Sequence, residues 1–446
     1  MSINLSTDPV RKSFVQYLLP ALTGMVIKSL FIMGDAWFIG QGVGPQGLGA
    51  MSLAIPAFSF FSALAMMIGI GGAALMSIEF GKGNTKIGQT LFSQAMLMTF
   101  LITGFFVIVF LIWLEEIIGW MGASGHMADL THEYLSVLLK FYVLYSLCWV
   151  MSSFVRNDTN PKLTMYAMSA GAIVNLILDY VFVMEFGWGM KGAALATGLA
   201  QISIALILIT HFVYKKGVLE LNLNGVGLSH SKGILKIGMP VFFIEVTSAM
   251  TIILFNYVLL RQFGEDYIIA YGLTSGIGVF AMFVIVGITQ ACQPIISFNH
   301  GANRIEKVRE ILNIGLKASI GSGIAFLLVV SVTSEMIASV YLSGSEQLVE
   351  LSAIALLYFF FSVPFMGFNM VVANLFQAIA KPAQASIISL ARGFVFVVLG
   401  ILLLPIIMPV NGIWLSIFFA ELLTAGISAV MLLSFIKQQN MQLKMA

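Results

Sequence analysis

Long apolar stretches limit this chain to a membrane fold. The five longest stretches each exceed the roughly 18 residues at which an uncharged segment becomes a candidate membrane helix. Hydrophobic residues make up 59% of the 446 positions and charged residues only 9%, whereas a soluble domain carries about 25% charged residues. Most of the surface must therefore meet lipid, and the sequence predicts an all-α membrane protein.

Charged residues and clusters of Gly, Pro and Asn divide the chain into apolar spans. A helix needs about 20 residues to cross a bilayer. We predict twelve transmembrane helices, at 14–40, 50–78, 88–114, 133–155, 162–185, 191–213, 235–260, 267–298, 311–334, 348–376, 383–408 and 411–435.

The basic residues sort to one side of the membrane. If the N-terminus is cytoplasmic, seventeen of the 22 Lys and Arg residues fall on the cytoplasmic side, and only Lys191 and Arg261 fall on the outer side. Cytoplasmic loops carry the excess of basic residues in membrane proteins. The sequence therefore predicts that both termini are cytoplasmic. An odd number of spans would place half of the lysines on the wrong side, which supports the even count.

The N-terminal segment MSINLSTDPVRKSFVQ does not read as a signal peptide. It lacks a basic start, a short apolar core and a small-residue cleavage site, so we expect the first helix to remain in the mature protein. The net charge of +2 gives no indication of a nucleic-acid partner. Cys148 and Cys292 lie inside apolar stretches and are expected to be buried thiols, not a disulfide.

The two halves of the chain match at a shift of about 220 residues. The matched pairs are Pro20 with Pro240, Ala50 with Ala270, Gly81 with Gly301, and Gly192 with Gly412. Each half holds six spans, an even number, so both halves enter the membrane from the same side, as in a parallel repeat about the membrane normal. Transporters use such a repeat to alternate access to a cleft between the lobes; duplication for packing alone is the other interpretation.

The repeat sets the predicted domain boundaries. The N-lobe covers 14–215 and the C-lobe covers 235–436. A cytoplasmic linker, 216–234, joins them, and short cytoplasmic segments, 1–13 and 437–446, flank them.

Four polar side chains of the N-lobe lie at matching depth. Asp35 is about five residues from the outer end of the first span, and Asp179 is about six residues from the outer end of the fifth. Asn175 lies one turn deeper than Asp179 on the same face, and Thr197 lies about six residues into the sixth span. At 1.5 Å per residue all four sit roughly 8–15 Å below the outer surface. Ionisable groups inside a span mark an ion or substrate path by default, so we predict one pocket.

Such a pocket suits cation coupling. Burial disfavours a charged carboxylate and two neighbouring carboxylates repel each other, so the pair can load and release a proton. The same oxygen atoms could instead coordinate Na+, because hard cations prefer oxygen ligands. Asn175 and Thr197 also fit a purely structural interhelical bond. No other metal and no organic cofactor is predicted.

Further residues are weaker candidates. Pro20, with Gly24, permits a bend in the first helix upstream of Asp35, although proline is common in membrane helices without such a role. Lys28 lies two turns from Asp35 and either faces the same lumen or pairs elsewhere. Glu245 fits a substrate contact or a second protonation point equally well.

Two remaining sets of charges have simpler interpretations. Arg392 and Glu421 both fall near mid-membrane in the second half, and we expect them to pair with each other. Lys140 lies close enough to the outer interface for its ammonium group to reach water.

Three stretches carry a family resemblance. They are RNDTNPKLTMYAMSAGAIVNLILDYVFVMEFGWGMKGAALATGLAQ at 156–201, MGDAWFIGQGVGPQGLGAMSLAIP in the first half and SFNHGANRIEKVRE in the second. Through them the chain resembles the multidrug and toxic compound extrusion (MATE) family over its whole length. The run NP…N-x-x-x-D…G-x-x-G-A-A-x-A-T is long and specific.

That resemblance implies a drug/cation antiporter of the bacterial inner membrane, with two six-helix lobes around a V-shaped central cleft. Prokaryotic members carry a cation site in the N-lobe, built from an Asp on the first helix, an Asn and an Asp on the fifth and a Thr on the sixth. The matching residues here are Asp35, Asn175, Asp179 and Thr197. The bend of the first helix in such members matches Pro20.

One branch of the family also places a carboxylate on the tenth helix. The corresponding stretch here, LYFFFSVPFMGFNMVVANLFQAIAKP, has none. This departure disfavours a cation site in the C-lobe and a role for Glu245.

We therefore expect a secondary active multidrug efflux antiporter, not an enzyme. It would export small organic, often cationic compounds in exchange for H+ or alternatively Na+, in contact with membrane lipids and as a monomer. A lipid or oligosaccharide flippase of the same superfamily is the runner-up, disfavoured because such proteins usually bring more spans or a cationic lumen. No nucleotide loop, catalytic triad or His/Glu metal motif supports an enzyme or receptor, and EFGKGNTKIGQ lacks the acidic-and-arginine signature of major-facilitator transporters.

Overall fold

The computed structural model describes residues 3–222, 224–342, 345–409 and 411–445. Residues 1–2, 223 and 446 of the predicted terminal segments and linker lie outside this part, as does the side chain of Lys444, which counts among the cytoplasmic basic residues. The described residues form helices and turns, without a β-strand.

Twelve helices of the described part are long and apolar enough to cross a membrane, which confirms the predicted fold class. They are α1 (Val10–Gly42), α2 (Pro45–Gly81), α3 (Thr85–Ile112), α4 (Gly125–Asn157), α5 (Pro161–Glu185), α6 (Gly189–Val213), α7 (His230–Gln262), α8 (Glu265–Gly301), α9 (Ile305–Tyr341), α10 (Glu346–Ala378), α11 (Pro382–Ile407) and α12 (Gly412–Asn440).

The helices extend further into the polar segments than the apolar pattern predicts. A short helix, Leu114–Trp120, follows α3 in the segment between the third and fourth predicted spans. The next helix, α4, begins at Gly125, eight residues before the predicted start of the fourth span. Hydropathy identifies only the apolar part of a helix. Glu is a good helix former in water as well, so a helix can continue beyond its apolar part.

The chain divides into two compact units, Met1–Phe242 and Phe243–Ala446, and the boundary lies inside α7. In the first unit α2 packs against α3 and α4, α4 packs against α3 and α6, and α5 packs against α6 and α1. In the second unit α8 packs against α9 and α10, α10 packs against α9 and α12, and α11 packs against α12. Five of the six pairs of the first unit therefore recur six helices later, as expected for a parallel repeat.

The turns repeat as well as the helices. Residues with positive φ recur at the offset of about 220: Gly44 (92°) with Gly264 (97°), Gly83 (84°) with Asn303 (57°), and Thr159 (62°) with Ala380 (57°). Gly44 and Gly264 directly precede α2 and α8. A residue without a Cβ adopts this backbone conformation without steric cost, so the α1–α2 and α7–α8 turns both depend on glycine.

Small residues bring the helices of the first unit together. A Cβ atom on Gly69 would lie 3.1 Å from Ser153 Oγ, and one on Gly72 would lie 2.7 Å from the ring of Phe154. Such glycines let membrane helices approach closely. The ring of Phe61 on α2 stacks on that of Tyr142 on α4 at 4.4 Å. These contacts fix α4 beside α2 and so determine where the polar residues of α4 lie.

Candidate cation site

Asp35 is buried on α1, with 4% of its surface exposed. Its neighbour Gly34 lies against Leu176 of α5, so closely that a Cβ on Gly34 would collide with that side chain. The glycine thus permits α1 and α5 to pack tightly at the level of Asp35. The Oδ1 atom of Asp35 has no hydrogen-bond partner.

Asn175 and Asp179 lie one turn apart on α5, and both are fully buried. Directly after Asp179 the helix changes to π-helical geometry over Tyr180–Glu185. The widened turns show in the bond from Phe186 N to Val181 O, five residues back, at 2.9 Å. Single π-helical turns occur frequently at functional sites, and this one places a change of helical register beside a buried carboxylate.

Thr197 on α6 faces the same group. Its hydroxyl accepts a hydrogen bond from Asn175 Nδ2, at a long 3.5 Å. Gly192, near the start of α6, lets the two helices approach, since a Cβ there would lie 3.0 Å from the carbonyl oxygen of Phe182. This close approach of α5 and α6 places Thr197 next to Asn175.

Tyr134 on α4 is a further member of the group. The side chain is 5% exposed, and its hydroxyl lies within reach to donate to the carboxyl group of Asp35. The carboxyl groups of Asp35 and Asp179 are close enough to interact electrostatically with each other and with Tyr134. The structure therefore brings together the four predicted side chains and adds one that the sequence interpretation missed.

The group is rich in oxygen atoms that lack a donor. Asp35 Oδ1, Asn175 Oδ1 and both carboxylate oxygens of Asp179 are buried without a hydrogen-bond partner. Within the part of the chain that the structure describes, neither Asp forms an ion pair. An unsatisfied buried acceptor costs about 1–3 kcal/mol, and more if it is charged. A proton or a small cation would supply what these acceptors lack.

The weaker candidates lie around or away from this group. Pro20 is buried inside α1, which continues as a helix through it. A Cβ on Gly24 would lie 3.7 Å from the sulfur of Met168 on α5. The ammonium group of Lys28 lies 5.5 Å from the ring centroid of Trp149 on α4, so its side chain turns toward the other helices of the first unit. Glu245 belongs to the second unit and is half-buried.

Comparison with known proteins gives one family. The MatE family model matches residues 20–181 and 240–406, well over half of the chain. The multidrug export protein MepA of Staphylococcus saprophyticus subsp. saprophyticus is 23% identical over 408 residues, which cover 91% of this chain and 88% of MepA. MepA of Staphylococcus aureus (strain COL) is 24% identical over 427 residues, covering 94% and 92%.

A solved structure shares the fold. The crystal structure of a mutant of the Vibrio cholerae MATE transporter VcmN superimposes with a TM-score of 0.89, covering 96% of this chain and 97% of that one at 21% identity. The agreement extends over both units.

Proposed function

Because the chain belongs to the MatE family, we propose that it is a secondary active multidrug efflux antiporter that exports organic, often cationic compounds in exchange for protons. Twelve spans and bacterial relatives support a multi-pass protein of the inner membrane. The relatives named MepA are multidrug export proteins, which supports the substrate class. The excess of basic residues on one side supports cytoplasmic termini.

One observation carries the coupling proposal: Asp35 Oδ1, Asn175 Oδ1 and both carboxylate oxygens of Asp179 are buried without a donor. In a medium of low dielectric constant two neighbouring carboxylates cannot both stay charged without a large cost. Uptake of one proton neutralises one carboxylate and supplies a donor to the other. Na+ would satisfy the same acceptors through coordination and is the alternative coupling ion.

Proton uptake would then bias the conformation of α1. The bonds that Asp35 makes to neighbouring helices depend on its protonation, and Pro20 weakens the helix between this site and its N-terminal end. Protonation from the outside would favour the state that releases the drug, and proton release to the cytoplasm would favour the state that binds it. This gives alternating access with one exchanged ion as the driving step.

The test is dye efflux from vesicles of a host that lacks its own pumps. We expect the unaltered protein to expel a cationic dye under an imposed pH gradient, and the Asp35→Asn variant to lose most of this activity. Asp129→Asn, the same chemical change at an exposed position of α4, is the matched control and should retain it.

Other outcomes separate the alternatives. Full efflux by Asp35→Asn would disprove the assignment of the site. A Na+ gradient that drives efflux when a pH gradient does not would replace the proton by Na+ as coupling ion. Transfer of a labelled lipid in place of dye would indicate a flippase.

A further inference from the structure

A second buried charge cluster lies in the unit Phe243–Ala446. Arg392 on α11 and Glu421 on α12 form the expected pair, with 2.6 Å between Nη2 and Oε1 and 3.0 Å between Nε and Oε1. Their side chains are only 12% and 4% exposed. Arg392 lies in the second π-helical segment of the described residues, Ala391–Val395.

Two neutral side chains complete the cluster. Asn369 on α10 donates from Nδ2 to Glu421 Oε2 at 2.7 Å and to the Glu421 carbonyl oxygen at 2.8 Å. Ser428, two turns after Glu421 on α12, donates to Asn369 Oδ1 at 2.9 Å. Every oxygen of the Glu421 carboxylate therefore has a donor.

The Glu421 cluster contains the same types of side chain as the candidate cation site of the first unit. The hydrogen bonding differs, because the carboxylate of Glu421 has donors and that of Asp179 lacks them. The first unit buries carboxylate, amide and hydroxyl groups from α1, α4, α5 and α6, and the second unit buries such groups from α10 and α12. In the first unit both oxygens of Asp179 lack a partner. In the second unit a guanidinium group lies where it neutralises the carboxylate.

We propose that Arg392 is a built-in counter-ion that occupies a cation site in the second unit, so that the Glu421 cluster binds no exchangeable ion. The guanidinium group is always charged, and it uses two N–H donors on one carboxylate oxygen. A proton or Na+ would have to displace a cation that cannot leave, and the arginine would then be buried without its partner. Loss of one member of a buried pair is strongly unfavourable.

This proposal rests on the proposed coupling in the first unit and deepens it. If the Glu421 cluster cannot exchange a cation, it adds nothing to the ions that the Asp35–Asp179 group moves per cycle. It also predicts a latent site: without the guanidinium group, the oxygens of Glu421, Asn369 and Ser428 are free to hold Na+ or a proton.

The experiment uses full-length protein purified in detergent, with Asp35→Asn and Asp179→Asn together as the parent. The melting temperature is measured against NaCl, with choline chloride at equal ionic strength as reference. Infrared spectroscopy follows the band of protonated carboxyl groups against pH. These two readings report Na+ binding and proton binding.

We expect Arg392→Gln in this parent to acquire a new response, either a melting temperature that rises with Na+ or a new protonated-carboxyl band. Adding Glu421→Gln should abolish the response. Arg392→Lys, which keeps a fixed positive charge, should not show it. No new response in Arg392→Gln, or the same response in Arg392→Lys, would overturn the proposal.

A second comparison covers the case in which Arg392→Gln does not fold. Replacing both Arg392 and Glu421 by Met removes the pair without leaving a buried charge, a kind of change that is often neutral or stabilising. Identical Na+ and proton responses of the parent and this variant support the proposal, and a larger response of the parent refutes it. Because Asp35 and Asp179 are neutral throughout, neither result depends on whether they couple transport.

Discussion

Asn175 on α5 and Thr197 on α6 are joined by a hydrogen bond of 3.5 Å from the amide Nδ2 to the hydroxyl Oγ1. The carbonyl oxygen of Asn175 is a buried acceptor without a partner. It lies one turn from Asp179 on the same helix. Thr197 thus helps to fix the orientation of the Asn175 amide next to Asp179.

Thr197→Val should therefore destabilise the protein although the side chain keeps its shape. The change removes the acceptor for Asn175 Nδ2, and a buried donor without a partner costs about 1–3 kcal/mol. We expect a lower melting temperature of the purified protein. Thr197→Ser retains the hydroxyl and should melt close to the unaltered protein; equal melting of the Val and Ser variants would show that the bond does not orient the amide.

The two carboxylates should act as a unit. Asp35 and Asp179 interact directly, so neutralising either one already removes the repulsion that makes proton uptake and release possible. We expect Asp35→Asn and Asp179→Asn each to abolish most gradient-driven dye efflux, and the double variant to be no worse than either single one, as for residues that function together. Losses that multiply in the double variant would indicate two independent sites.

The depth of a residue in a helix can be read from the sequence, and partners on other helices cannot. Asp35, Asn175, Asp179 and Thr197 were all located from their distance to a span end, because the helical rise is constant. The sequence does not identify Tyr134 as part of the site, because nothing in it shows which of the twelve tyrosines lies next to Asp35. The proximity of Tyr134 to Asp35 is seen only in the folded structure, in which α4 is packed against the other helices.

Local irregularities of the backbone also cannot be predicted from the sequence. The π-helical segment YVFVME after Asp179 contains neither Pro nor Gly, so nothing in its composition predicts a wider turn. In the structure the first part of α7 belongs to the first unit, because it packs on α2.

That packing depends on two glycines. Gly238 of α7 lies against the backbone of Met67, and Gly71 of α2 lies against the backbone of Ile234 and Gly238. A Cβ on either glycine would overlap backbone atoms, which cannot move aside as a side chain can. Gly238→Ala should lower the melting temperature by several degrees, because overpacking typically costs about 1–3 kcal/mol. Gly104→Ala, where a Cβ meets nothing within 4 Å, is the control; equal melting of the two variants would contradict the close contact.

Asp158 binds the start of the linker after α6 through hydrogen bonds. This residue is 3% exposed, and its carboxylate accepts from Val218 N at 3.2 Å and Leu219 N at 3.1 Å. His211 Nε2 lies 2.8 Å from the same carboxylate. Gln89 on α3 adds a bond to the carbonyl oxygen of Val218 at 2.7 Å. The backbone N–H groups of Val218 and Leu219 should therefore be protected from hydrogen exchange.

Asp158→Ala should release this segment. Two backbone N–H groups lose their acceptor, and each lost buried partner costs about 1–3 kcal/mol. Because about 1.4 kcal/mol corresponds to a factor of ten, amide exchange at residues 218–219 should accelerate roughly tenfold or more. Hydrogen–deuterium exchange with mass spectrometry measures the effect directly. Asp129→Ala, an exposed change on α4, should leave the exchange of the linker unaltered. Unchanged protection in Asp158→Ala would mean that the bond from Gln89 and the remaining packing hold the linker without the carboxylate.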